Sequence, residues 1–161
     1  MDSVFFHDPE GYRRVSLFVP GVPAPGGSKT AFPHAATGRM IVVDACKRNP
    51  AWRRAIQIEA QRVYRNPPTT APVSVTVTFV FDRPASHYRT GRNRDLLRQS
   101  APANHAVKPD TTKLWRAAED ALTGLLWHDD AQITSQSAQK VYRSGSFPVP
   151  GMHLEATWWE D

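Results

Sequence analysis

The 161-residue chain has one cysteine, Cys46. A single thiol closes no intrachain disulfide and builds no cysteine-rich zinc centre, which excludes disulfide-stapled secreted scaffolds and fits a reducing, cytoplasmic setting. No apolar run approaches the ~20 residues of a membrane span. Met1-Asp2-Ser3 opens neither a basic n-region nor an apolar h-region, so the expectation is a protein with no visible secretion signal and no membrane. The six histidines (His7, His34, His87, His105, His128, His153) lack the spacing of a metal motif. There is no internal repeat and no low-complexity segment. The stretch Pro25-Gly26-Gly27-Ser28-Lys29-Thr30 has the flavour of a phosphate loop but has Ser28 where that motif needs glycine, and Pro23 and Pro25 remove backbone donors. It reads as a mobile loop in which Lys29 is a candidate contact to a nucleic-acid phosphate.

The remaining composition, with 40% apolar, 10% aromatic and 22% charged residues, is that of one ordinary globular domain over residues 1–161. Charge is unevenly placed. Residues 1–82 carry 10 basic and 6 acidic side chains, residues 83–116 carry 8 and 2, and residues 117–161 carry 2 and 7. A basic middle abutting an acidic C-terminal quarter points to a polyanionic partner.

Alternating apolar residues predict strands over 14–19, 40–43 and 73–81, with Val73–Phe81 the clearest, and further strands over 131–143 and 152–159. Asn49-Pro50 has the form of an N-cap followed by a first-turn proline and opens a helix over 50–64. Leu114, Ala117, Ala118, Ala121, Leu122 and Leu125 recur at helical spacing and define a second, amphipathic helix. Residues 82–108, rich in Arg, Ser and Asn, read as a long basic loop, and residues 1–12 as a flexible tail. The order predicts an α+β fold, a small mixed sheet with two main helices packed on it.

Three carboxylates bracket the second helix, Asp110 at its start and Asp129-Asp130 past its end. Taken singly they are a helix-start acid and a solvated turn. Together, beside a basic segment, they offer the hard oxygen ligands that Mg²⁺ prefers. A helix of about 14 residues spans ~21 Å, so these acids meet only if the chain bends back or a second subunit supplies one end. Arg89, Arg92, Arg94 and Arg98 in the loop are candidate phosphate contacts, against the plain alternative of a solvated surface. Tyr88 is a candidate for base stacking, and Trp115 reads as core.

The run from Lys108 to Ile133, KPDTTKLWRAAEDALTGLLWHDDAQI, resembles the RusA family of Holliday-junction resolvases, whose pattern is K-P-D-x-D-N-L, then K/R-A-x-x-D-A-L, a short turn and D-D-x-Q-[IV]. The resemblance implies a small α+β homodimer that uses Mg²⁺, with Mn²⁺ as a substitute, to cut branched DNA by paired nicks in recombination or repair, in a bacterial or phage-infected cell. It implies Asp110, Asp129 and Asp130 as metal ligands and catalytic acids and Arg116 in place of a catalytic lysine. Lys29, Lys108 and Lys113 join the arginines as candidate DNA contacts. Asp120 matches a recurrent family residue, expected to pair with Arg116 one turn away. Two departures stand out, Thr112 for the second aspartate and Lys113 for asparagine. A threonine hydroxyl does not replace a carboxylate's charge, and a guanidinium at 116 stabilises charge but donates no proton at neutral pH. These departures motivate a second expectation, a junction- or single-strand-binding protein weakened in catalysis. An RNA-directed nuclease is a third expectation, resting on the basic loop alone.

Overall fold

The computed structural model describes residues 2–160. Its elements run β1 (Val4–His7), β2 (Tyr12–Pro20), β3 (Lys29–Pro33), β4 (Met40–Asp44), α1 (Asn49–Val63), β5 (Val73–Phe81), α2 (Thr111–Leu122), β6 (Ile133–Tyr142) and β7 (Gly151–Trp159). Five strands form one sheet in the order β1-β2-β7-β5-β6, while β3 and β4 form a separate two-stranded ribbon. Every neighbour in the large sheet is antiparallel except β5 and β6, which are parallel. A parallel pair requires a crossover, and here the crossover is the 82–108 segment followed by α2. The α+β expectation with two helices is met.

The core forms where α1 and α2 cover one face of this sheet. Trp52, Ile56 and Ala60 of α1 and Leu114, Ala117, Ala118, Ala121 and Leu122 of α2 are buried. They pack against Val15, Leu17 and Val19 of β2, Val75 and Val77 of β5, and Leu154, Ala156 and Trp158 of β7. Three alanines on α2 leave room for the two helices to approach. Past its end, Leu126 and Trp127 are fully buried, and the Trp127 indole donates to Thr123 Oγ1 at 3.0 Å. That contact anchors the return turn after α2.

The strand β5, between β7 and β6, alternates in its first half and is buried on both sides in its second. The far-face positions there are Thr78 and Val80; Thr78 stands opposite His153, whose ring packs with Phe18 and Phe147, while the end of the 82–108 segment covers the helix-side face. His105 is buried against Phe81 and Tyr142, with ring centroids 4.3 and 4.9 Å away.

Three expectations are corrected. Residues 1–12 are not simply a tail, because Val4–His7 pairs antiparallel with β2 and Phe5 packs edge-on against Tyr64. Asn49 is the first helical residue rather than the cap. Arg48 takes the N-cap position without a side-chain bond, and the Asn49 side chain is buried. Lys29 and Thr30, expected in the loop, instead open the strand β3. Both added strands are short and flank exposed polar residues, so neither carries an alternation long enough to read.

Candidate functional site

The N-terminus of α2 meets the Gly26-Gly27 loop. Gly26 N donates to Lys113 O at 2.8 Å. A Cβ at Gly26 would lie 3.1 Å from Ala117 Cα and 3.2 Å from its N, so a side chain there would push the two backbones apart by a few tenths of an ångström. Gly27 has φ +78°, and a Cβ there would clash with Arg116 Cδ. The glycine pair that resembles a phosphate loop is therefore a packing device that presses the loop onto α2 and seats the Arg116 side chain. Sequence reading missed this role because close approach between distant segments leaves no local pattern.

Two adjoining depressions open at this place and share Asp110 and Lys113. One, about 460 Å³, continues past Lys108, Ser28 and Cys46; the other, about 420 Å³, is floored by Gly26 and Gly27 and edged by Thr112 and Arg116. Asp110 sits at the N-cap position of α2, yet its carboxylate makes no capping bond. It stays exposed and faces Lys113 Nζ at 3.8 Å. The uncapped carboxylate at this helix N-terminus thus lies among Lys108, Lys113 and Arg116, one acid among three cations.

The other two predicted acids lie elsewhere. Asp129 caps a single 3₁₀ turn over Asp130–Gln132: its side chain accepts from Ala131 N at 2.8 Å, and its own N–H donates to Gln132 Oε1 at 2.8 Å. Gln132 Nε2 in turn donates to Thr69 O and Ala71 O, each at 2.9 Å. This turn is therefore fixed to the start of β5. At the opposite end of the sheet, Lys140 Nζ donates to Val107 O at 2.7 Å and Pro109 O at 2.8 Å, which fixes Asp110 near the far end of β6. Seven strand residues separate Ile133 from Lys140, roughly 23 Å at strand rise, and α2 itself is about 18 Å long. Both rulers give the same answer: on one chain, Asp110 and the Asp129-Asp130 turn are held at opposite ends. Consistently, no group of three His, Cys, Asp or Glu side chains able to hold a metal ion exists among the described residues.

Asp120 does not pair with Arg116 as expected. It faces α1, where Arg53 Nη1 lies 3.8 Å from its carboxylate and Arg53 Nη2 donates to its carbonyl at 3.2 Å. The acid that sequence reading missed is Glu119. Its carboxylate accepts from Trp115 Nε1 at 3.2 Å. Burial holds its pKa above the usual range, the Trp115 bond opposes this, and the charges of Asp130 and Asp120 add to the rise. Glu119 thus lies within reach of the Asp130 and Asp120 charges on one side and of Arg116 on the other. A Trp four residues before a Glu was its only signal.

The loop arginines divide by role. Arg89 Nε donates to Leu97 O at 3.2 Å and Arg98 Nε to Tyr88 O at 2.7 Å, closing a small bridge between Tyr88 and Leu97. Both keep exposed guanidinium edges while ordering the loop. Arg92 and Arg94 are exposed on and beside a 3₁₀ turn at Gly91–Asn93, and Arg94 edges a depression with Arg83 and Arg143. Lys29 lies at the base of the ribbon, next to the Asp110 depression that Ser28 lines. Trp115 is buried, as expected of a core residue. No helix among the described residues is long and apolar enough to cross a membrane.

A protein-family model described as "Endodeoxyribonuclease RusA" matches residues 20–147, a span holding the ribbon, both helices, the basic loop, Asp110 and the Asp129-Asp130 turn. No curated protein matches the chain.

Proposed function

The chain belongs to the RusA endodeoxyribonuclease family, and from that premise we propose that it resolves four-way DNA junctions as a homodimer in which each active site is shared between two copies. The family makes it a nuclease and implies branched DNA as substrate. The observation that carries the shared site is the separation above: the family's acids stand at opposite ends of α2, so Asp110 of one copy and the Asp129-Asp130 turn of another complete one site. Two-fold symmetry then produces two such sites, as paired nicks on a symmetric junction require.

RusA resolvases are generally dependent on a divalent metal. On one chain the donors do not fit an ion, for the distance reason just given. Across two copies the donor chemistry, carboxylate and hydroxyl oxygens, suits Mg²⁺ with Mn²⁺ as a substitute. Such an ion supplies an activated water and charge neutralisation at the phosphate. The chain's own residues do the rest. Lys108, Lys113 and Arg116 seat the scissile strand's phosphates, with Lys29, Arg89, Arg92, Arg94 and Arg98 extending the contact along the backbone. Arg116, always charged, stabilises the negative charge that develops on the phosphate oxygens. Asp110, unengaged by its helix, accepts a hydrogen bond from the attacking water.

The test is subunit complementation on a labelled four-way junction, with duplex of the same sequence as control. Asp110→Asn and Asp130→Asn proteins are each expected to bind the junction and fail to cut it. Mixed, they regain cutting, because a mixed dimer holds one site with both acids intact. No recovery on mixing, with subunit exchange verified, refutes the shared site; equal cutting of duplex and junction refutes the resolvase reading. Thr112, which lines the site where the family pattern has an aspartate, favours a second reading, a junction-binding protein weakened in catalysis. Tight, salt-sensitive junction binding with no turnover in Mg²⁺ or Mn²⁺ is the result that selects it.

A further inference from the structure

The ribbon β3–β4 stands apart from the main sheet and breaks the usual pattern of a strand pair. A two-stranded ribbon is marginal by itself in water, and strands normally hide one face while exposing the other. Here neither face is hidden. The register sets Phe32 opposite Ile41 and Thr30 opposite Val43 on one face, and Ala31 opposite Val42 and Pro33 opposite Met40 on the other. Phe32 and Val43 are 45% and 41% exposed, and Met40 and Val42 are 61% and 60% exposed. Basic residues frame these apolar side chains. Arg39 adjoins Met40 at the tip, and Lys47 and Arg48 follow β4, against one acid, Asp44, in the ribbon. The tip is closed by backbone bonds from His34 N to Arg39 O and Gly38 N to His34 O, each 2.8 Å. Its root is tied to the site, since Ala45 N donates to Ser28 O at 2.9 Å, and Ser28, Ala45 and Cys46 line the Asp110 depression.

A second protein copy laid on the ribbon covers one apolar face. A partner that offers apolar surface on both sides at once, within a shell of negative charge, is an opened stack of bases between phosphate backbones. Apolar side chains of this kind wedge between base steps elsewhere, and a two-stranded ribbon is thin enough to enter a groove. Building on the junction-resolvase reading, we propose that the β3–β4 ribbon is a wedge that enters the unstacked centre of branched DNA. Phe32 and Met40 pack on exposed base faces, and Arg39, Lys47 and Arg48 hold the flanking phosphates. The ribbon's root then delivers a strand leaving the branch point to the Asp110 depression.

The experiment uses the full chain and a four-way junction carrying 2-aminopurine at the crossover, with a duplex of the same sequence beside it. Wild type is expected to raise 2-aminopurine emission on binding the junction. A Phe32→Ala/Met40→Ala double variant, whose changes lie at exposed positions, is expected to lose most of that rise. It should bind the junction about five- to twentyfold more weakly, from two lost apolar contacts to bases, with duplex binding within about twofold of wild type. Arg39→Ala is expected instead to weaken junction and duplex alike. A double variant with wild-type emission and junction affinity overturns the wedge, as does an equal loss on duplex. If sedimentation shows that the double variant has lost self-association, the ribbon is a contact between copies and the wedge is again overturned. Wild type that prefers the junction while the double variant matches it removes the wedge alone; wild type with no preference for the junction removes the resolvase reading as well.

Discussion

Replacing Gly27 with alanine tests whether the glycine loop positions Arg116. The alanine must hold φ near +78°, a left-handed conformation that costs an L-residue about 1 kcal/mol or somewhat more. For a domain of this size that lowers Tm by roughly 2–4 °C. The new Cβ also overlaps Arg116 Cδ and approaches its Nη1 to 3.2 Å. The loop cannot yield, because Gly26 already packs against the Ala117 backbone and donates to Lys113 O. The arginine must therefore move, by roughly 1 Å to restore ordinary contact. Displacement of a charge-stabilising group on that scale costs up to about 100-fold in rate, so single-turnover cutting of a four-way junction should fall by about 10- to 100-fold while junction binding changes little. A double-mutant cycle separates position from stability. In an Arg116→Ala background there is no side chain to displace, and adding Gly27→Ala should lower Tm as before yet leave the residual rate almost unchanged. Wild-type turnover by Gly27→Ala, or the same fold loss in both backgrounds, refutes the coupling.

Two further outcomes follow from the Asp130 end of α2. Gln132→Ala removes the amide that joins Asp129 N to Thr69 O and Ala71 O; at about 1 kcal/mol per lost bond, partly offset by water, stability should fall by about 1–3 kcal/mol in urea denaturation, with faster amide exchange at Asp129. Unchanged exchange there means that Gln132 does not hold the acidic turn. Glu119→Gln keeps an oxygen for the Trp115 indole and removes the charge. Burial, followed by the Asp130 and Asp120 charges, raises the Glu119 pKa in the folded state, so the folded chain binds this proton more tightly than the unfolded chain. The stabilisation present below the ordinary carboxylate range is lost as pH rises through the raised value. The variant should thus match wild type near pH 4 and melt at a higher temperature than wild type at pH 7. A gap that shrinks with pH reverses the sign and refutes the assignment.

What the sequence discloses about this protein follows the range of the interactions involved. The periodicity of Leu114, Ala117, Ala118, Ala121 and Leu122 reports burial directly, and the same residues line the core. Val73–Phe81 alternates because one face packs on the helices, and the pattern lapses in its second half where Thr78 and Val80 on the other face are buried too, near His153, Phe18 and Phe147. Asp110 is legible as a helix-start residue, but a carboxylate that faces Lys113 instead of capping the helix is not, since that depends on where Lys113 and the Gly26-Gly27 loop lie. The same holds for Asp120, whose nearest cation in sequence is Arg116 and whose partner in space is Arg53 of α1. Of the ribbon, the strand over 40–43 is legible and its partner β3 is not, because the apolar residues of β3 serve no core and core patterning is the signal that periodicity carries.

The charge asymmetry of the chain takes on a different meaning once the helix is in place. By residue number the basic segment ends and the acidic one begins within α2, as though DNA-holding and acid-bearing groups met there. In space α2 keeps them apart, with Lys108, Asp110, Lys113 and Arg116 at or near its start and Glu119, Asp129 and Asp130 at or beyond its end. Each end is incomplete alone. The acidic end repels a phosphate backbone, and the basic end binds one with a single acid to act on it. Laying two copies of α2 antiparallel sets each basic end against the other copy's acidic end, so opposite charges meet at both ends of the contact and a like-ended arrangement is disfavoured by repulsion. Under the shared-site proposal this polarity favours the pairing that completes two equivalent sites, and cutting then depends on the assembled dimer, since a lone chain lacks the second set of acids at its basic end.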